Sequence, residues 1–120
     1  MEIAGKIVVI TGGASGIGRG LAERFHADGA SHIVVVDRDE AGAAAVAESV
    51  GGTGVALDVT DGDAIKQLVD RVERDHGPIG LFVSNAGYVT LGGLEAPVDD
   101  LNHMWSVHVL AHLHAARAVI

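Results

Sequence analysis

Apolar residues occur along this chain in two alternating arrangements, and the alternation predicts most of the architecture. Ile7-Val8-Val9-Ile10 and Ile33-Val34-Val35-Val36 are unbroken β-branched runs, the pattern of strands buried on both faces. Thr53-Gly54-Val55-Ala56-Leu57 and Ile79-Gly80-Leu81-Phe82-Val83 read as a third and a fourth strand. Between them the apolar spacing changes to that of helices. Ile17, Leu21 and Phe25 recur at every fourth position into the segment Arg19–Asp28, with Gly29 as the stop. The alanine-rich stretch from Asp39 to Val50 predicts a short, half-exposed helix that Gly51-Gly52 ends. The clearest stripe is Ile65, Leu68, Val69 and Val72, which Thr60 and Asp63 are expected to cap and His76-Gly77-Pro78 to terminate. From Val98 to Ile120 one long apolar helix is expected, carrying Leu101, Met104, Trp105, Val109 and Leu113.

Strands that alternate with helices imply right-handed parallel βαβ units, hence an α/β fold with a doubly wound sheet. The expected strand order is 3-2-1-4. Ligands of such sheets bind outside the carboxyl ends of the strands, where the order reverses. Thr11, Asp37, Asp58 and Asn85 all fall at predicted carboxyl ends.

The first strand runs into Thr11-Gly12-Gly13-Ala14-Ser15-Gly16-Ile17-Gly18. Glycine in such a turn supplies positive φ and lets a pyrophosphate approach the backbone. The first-turn N–H groups of the following helix then face the anion. Asp37 stands 19 positions beyond Gly18, at the tip of the second strand. A carboxylate there can accept hydrogen bonds from adenosine ribose hydroxyls.

Charge and composition narrow the partners. The 120 residues suit one domain, and 16 acids against 8 bases give a formal charge of −8 without a basic patch, so nucleic acid is not an expected partner. Cysteine is absent, which excludes disulfide and thiol chemistry. No secretion signal is legible at the amino terminus, and no apolar run approaches the roughly 20 residues that span a bilayer. The expectation is a soluble, cytoplasmic protein without membrane partners.

The spacing Gly12-x-x-x-Gly16-x-Gly18 after Thr11 resembles the glycine motif of the short-chain dehydrogenase/reductase family. Asp58-Val59 matches the Asp-Val that the family carries after its third strand. Ser84-Asn85-Ala86-Gly87 matches three positions of its Asn-Asn-Ala-Gly element. In order and at fitting distances across the whole chain, these elements resemble the amino-terminal half of that family. The resemblance implies a Rossmann-like, NAD(P)-binding domain over residues 1–120, incomplete because the family's catalytic half is not in it. It implies hydride transfer between NAD(H) and a small-molecule alcohol or carbonyl substrate in the full-length parent. It also implies a homo-oligomer, with the terminal helix in subunit contacts. The implied cofactor residues are Gly12, Ser15, Gly16, Ile17, Gly18, Asp37, Arg38, Asp58, Val59, Asn85, Ala86 and Gly87, with Asp58 meeting the adenine amino group. Asp37 would repel the 2′-phosphate of NADP, so NAD is the expected cofactor, although Arg38 could accommodate that phosphate.

The family's proton-transfer tyrosine has a lysine four residues on. The only tyrosine here is Tyr88, and Gly92 stands at that distance, so Tyr88 is expected to line the cleft instead. Ser84, Thr90 and Ser106 have no such pair in range either. No catalytic residue is assigned within the chain, and the 120 residues alone are expected to be inactive. His108 occupies the position of a family asparagine tied to the lysine's water relay, and an imidazole cannot both donate and accept through one group as an amide does. His103, His108, His112 and His114 cluster in sequence, with His108 and His112 at the i, i+4 spacing of zinc helices. No glutamate follows His108 and no cysteine is available, so no metal is assigned. A non-catalytic nucleotide-binding module and a methyltransferase with a related sheet are the alternatives. The latter usually carries an acid where Thr11 stands.

Overall fold

The computed structural model describes residues 1–88 and 94–120. Thr90 and Gly92, considered above, lie outside the described residues. Four parallel strands, β1 (Ile7–Thr11), β2 (His32–Asp37), β3 (Thr53–Ala56) and β4 (Ile79–Val83), form one sheet in the order β3-β2-β1-β4. Helices α1 (Gly16–Ala27), α2 (Glu40–Ser49) and α3 (Gly62–His76) make the crossovers. The order places the reversal between β1 and β4, beside the glycine turn.

The β-branched runs sit at the centre because they are covered from both sides. Val8, Ile10, Ile33 and Val35 pack with Ala43, Val46 and Ala47 of α2, and Leu21 and Phe25 of α1 close the same layer. Val9, Val34 and Val36 face the other way, onto Leu68 and Val72 of α3. Alternate residues of each strand thus serve opposite layers.

Three boundaries differ from the sequence expectation. The helix after the glycine turn starts at Gly16, three residues before Arg19, because Arg19 N–H already bonds Ser15 O at 3.2 Å. Gly16, Ile17 and Gly18 therefore belong to the helix's first turn. At α3 the cap is Asp61, whose Oδ1 accepts Ala64 N–H at 3.1 Å. Thr60 cannot serve there because its hydroxyl donates to Asp58 Oδ1 at 2.8 Å. The third difference is the terminal helix, which is three pieces: α4 (Val98–Trp105), a π-helical turn (Ser106–Leu110) and α5 (Ala111–Val119). Its buried face is made of small residues, Val107, Ala111 and Ala115, and Val107 and Ala111 pack with Val59 and Ile65. Leu101, Trp105, Val109 and Leu113 are exposed.

Candidate cofactor site

The carboxyl ends of the strands meet around Thr11, the one buried polar residue among those described, at 1 % exposure. Its Oγ1 accepts Asn85 N–H at 2.9 Å and Ala86 N–H at 3.1 Å and donates to Val83 O at 3.4 Å. A hydroxyl at the end of an otherwise apolar strand thus fixes the chain leaving β4. Asn85 answers from the other side, donating Nδ2–H to Thr11 O at 3.2 Å and Gly12 O at 3.4 Å. These bonds hold two segments 74 residues apart as one surface.

Two glycines are required for that closeness. Gly12 adopts φ +68°, and a Cβ there would lie 2.8 Å from Ala86 Cα. A Cβ on Gly18 would stand 2.1 Å from Gly12 O, so the helix can pack under the turn only without a side chain. Gly16, at φ +56°, instead faces open space above the turn.

Asp37 ties this turn to the next crossover. Its Oδ2 accepts Ala14 N–H at 3.1 Å and its Oδ1 accepts Asp39 N–H at 3.0 Å. Each carboxylate oxygen has a second lone-pair direction, so the group remains an acceptor toward a ligand. Asp58 is anchored similarly, its Oδ1 taking both the N–H and the hydroxyl of Thr60. Burial pushes the Asp58 pKa up. The Thr60 hydrogen bonds and the charges of Arg38 and His103 outweigh that and hold it below its ordinary 3.8.

Two hollows meet at Gly12, Asp37 and Gly87. One, about 350 Å³, opens over Ser15, Gly16 and Ile17, with Asn85 on its far side. The other, about 120 Å³, is an apolar slot between Leu57, Val59, Ala86 and Val107, with Arg38 and Tyr88 at its sides. Of the twelve sequence-derived cofactor residues, ten line one hollow or the other. Gly18 lies beneath the turn, and Asp58 faces a larger trough of about 710 Å³ between β3 and α3. That trough is bigger, but it lacks the glycine turn and the Asp37 carboxylate.

The two hollows together form one elongated groove. Helical bonding in α1 begins at Arg19 N–H, leaving earlier amides without helical acceptors, and the Ser15 side chain makes no cap bond. The wider hollow therefore offers backbone donors for a diphosphate, Asp37 an acceptor at its midpoint, and the slot apolar walls for a base.

Beyond the slot, His108 sits inside the π turn. Its Nε2 lies 2.5 Å from Tyr88 O and 3.3 Å from Tyr88 N. One nitrogen cannot donate and accept at once, and the shorter contact decides: Nε2–H donates to the carbonyl. Gly87 makes room, since a Cβ there would be 2.8 Å from His108 Cε1. Although the spacing suggested a shared face, His112 takes a different partner, with Nδ1 2.5 Å from Ser84 Oγ. Among the described residues no group of three or more His, Asp or Glu could hold a metal ion. Sequence reasoning placed Tyr88 at the cleft but missed the bracing role of Thr11 and the Ser84–His112 contact. A lone hydroxyl ending an apolar run was the signal for the first; the second depends on the π turn, which has no sequence signature here.

A doubly wound sheet with a glycine turn and a strand-end acid at its switch point defines a Rossmann-like α/β protein. The family model described as short chain dehydrogenase matches residues 6–120, and the chain belongs to that family. It is similar to a short chain dehydrogenase of Pseudocercospora fijiensis, at 36 % identity over 89 % of this chain and 36 % of the relative. Tropinone reductase-like 2 of Erythroxylum coca is 34 % identical over 99 % of this chain and 47 % of its own length. Among solved structures, a short chain dehydrogenase/reductase from Burkholderia phymatum in complex with NAD superposes with a TM-score of 0.92 at 32 % identity, covering 98 % of this chain and 44 % of that one. The 3-ketoacyl-(acyl-carrier-protein) reductase of Brucella melitensis complexed with NADH gives 0.90 at 31 % identity, covering 98 % and 50 %. The chain spans at most half the length of each of these four proteins.

Proposed function

We propose that residues 1–120 are the dinucleotide-binding part of an oxidoreductase that transfers hydride between NAD(H) and an alcohol or carbonyl carbon of a small molecule. The observation that carries this is the Asp37 carboxylate, hydrogen-bonded to Ala14 of the glycine turn and lying in both hollows at their junction. When bound, the nicotinamide supplies the hydride chemistry. The chain's own residues bind and orient. The turn and first-turn amides over Ser15–Gly18 would hold the diphosphate, and Asp37 the adenosine ribose. Val59 and Val107 would pack the base. Asn85 and Thr11 keep the Ala86–Gly87 backbone against the groove.

Asp37 favours a free ribose over a 2′-phosphate, which makes NAD the proposed cofactor over NADP. No Tyr-x-x-x-Lys occurs within the 120 residues, so the proton-transfer pair is assigned outside them. That same absence favours a second reading, a nucleotide-binding module without catalysis. Homo-oligomer formation through the exposed face of Leu101, Trp105 and Leu113, and a cytoplasmic location, complete the proposal. Among the described residues no helix is long and apolar enough to cross a membrane.

Binding and turnover test this together. Calorimetry of the isolated 120 residues should show NAD and ADP-ribose binding, with no NADH formed from any alcohol. Failure of both ligands to bind folded protein would reject the assignment, and turnover would place the acid/base group within the chain.

A further inference from the structure

Strand β3 closes the sheet on the side opposite β4, and among the described residues it pairs only with β2. Its inner side is fixed by the ladder, which ends where Leu57 N–H donates to Asp37 O at 3.1 Å. Backbone groups alternate in direction along a strand, so Thr53 and Val55 turn theirs toward β2 as well. Gly54 and Ala56 therefore each turn an N–H and a C=O away from the sheet, and both residues are exposed. Strand edges are commonly blunted by a lysine, a proline or a bulge. Thr53-Gly54-Val55-Ala56 has neither residue, and its register with β2 is regular.

The trough of about 710 Å³ runs between this edge and α3. Its floor is apolar, with Val55 and Leu57 packed toward Leu68. Its α3 wall carries Arg71 and Arg74, three residues apart and so on one helix face. The acids that border the trough are already engaged. Asp70 takes Lys66 Nζ on both oxygens, at 2.7 and 2.8 Å, and Asp58 takes Thr60. Among the described residues Arg74 reaches Asp75 alone, at 3.5 Å, and Arg71 makes no ion pair. In a chain of 16 acids and 8 bases, two arginines so placed suit a carboxylate supplied from outside.

The edge decides what kind of acid fits. A small anion would match the guanidinium groups but meet the outward carbonyls of Gly54 and Ala56. An extended chain matches both, because its backbone alternates donors and acceptors at the same repeat. Alternate side chains of such a strand stand roughly 6.6 Å apart, and the step from Arg71 to Arg74 rises about 4.5 Å along α3. Carboxylates at alternate positions therefore reach both arginines. The β3 of a second copy fits less well, because that strand carries no acid.

We infer that the β3 edge and its trough form a docking site for an extended acidic segment of another protein. The segment adds to the sheet as a strand beside β3 and sets its carboxylates on Arg71 and Arg74. Of the trough's lining residues only Leu57 also lines the cofactor groove, so the inference does not depend on that groove's assignment.

The test uses a fluorescein-labelled hexapeptide, Val-Thr-Glu-Thr-Glu-Thr, titrated with the purified protein and followed by anisotropy. Binding should saturate and weaken with added salt. Arg71→Gln combined with Arg74→Gln should raise the Kd about fivefold, as expected for two exposed ion pairs. Methylating every backbone nitrogen of the peptide keeps its charge, removes its donors and should abolish binding. Hydrogen exchange at the Gly54 and Ala56 amides should slow at saturation. A methylated peptide that binds as well as the parent would reduce the contact to charge attraction and overturn the inference. An unchanged Kd in the arginine variant, or no saturable binding up to about 1 mM, would overturn it too. Protection of Gly54 and Ala56 that grows with protein concentration, without peptide, would give the edge to a second copy and reject the acidic segment.

Discussion

Strands β1 and β4 are neighbours of equal length and similar apolar content, yet they live in different environments. Every residue of β1 is buried, whereas none of β4 is fully so. The difference comes from what surrounds them. β1 pairs on both edges and is covered on both faces, while among the described residues β4 pairs only with β1. The same contrast extends outward. The β1–α1–β2 unit turns its outer face to solvent with charged residues such as the Arg19–Glu23 and Arg24–Asp28 pairs, while α4, the π turn and α5 expose Trp105 and a row of aliphatic side chains. An apolar run is therefore a statement about what a segment can bury, and its neighbours decide how much it does.

The largest expected effects lie on the buried side of this comparison. Gly18→Val forces a side chain into Gly12 O, and chemical denaturation should show a loss of about 3 kcal/mol or failure to fold. Ile10→Ala, at a position with 0 % exposure, should cost about 2–5 kcal/mol. Leu113→Ala, at 42 % exposure, should cost less than about 1 kcal/mol. Similar losses for the two truncations would break the contrast.

The exposed side should reveal itself in association. Leu101, Trp105, Val109 and Leu113 recur every fourth residue, and among the described residues the outer edge of β4 has no strand partner. Light scattering coupled to gel filtration should find the 120 residues self-associated at tens of micromolar, and Trp105→Glu should reduce the mass. A stable monomer of the unchanged chain would contradict this.

How much was legible follows the same division. The paired-face burial of β1 and β2, the α3 stripe and the strand order were readable because periodicity and β-branching report directly on burial. Ten of the twelve residues expected at a cofactor site line the two hollows, because the glycine spacing and strand-end acids are local signals. What escaped depended on long-range partners. Thr60 looked like a cap until Asp58 claimed its hydroxyl, leaving Asp61 to accept Ala64 N–H. The π turn separates His108 from His112, and it arises where the small face of Val107, Ala111 and Ala115 seats on α3 and the β3–α3 loop.

A smaller effect tests the far end of the sheet, away from the groove. His32 stacks on His76 at 3.9 Å and its Nε2 bonds Thr53 Oγ1 at 2.8 Å. Burial, and then the charge of His76, hold its pKa below the ordinary 6.5. The unfolded chain therefore binds the proton more readily, and stability should fall as the pH drops below about 6.5. In His32→Gln the decline between pH 7 and pH 5.5 should be shallower in thermal melts. An unchanged slope would remove His32 as its cause.

The central claim is that Asp37, fixed between the glycine turn and the slot, reads the adenosine ribose. Calorimetric titration of NAD and NADP into the unchanged protein and Asp37→Ala tests it most directly. NAD should bind more tightly than NADP, and Asp37→Ala should weaken NAD and narrow the gap. Tighter binding of NADP, or an Asp37→Ala protein with unaltered affinity for both, would contradict it.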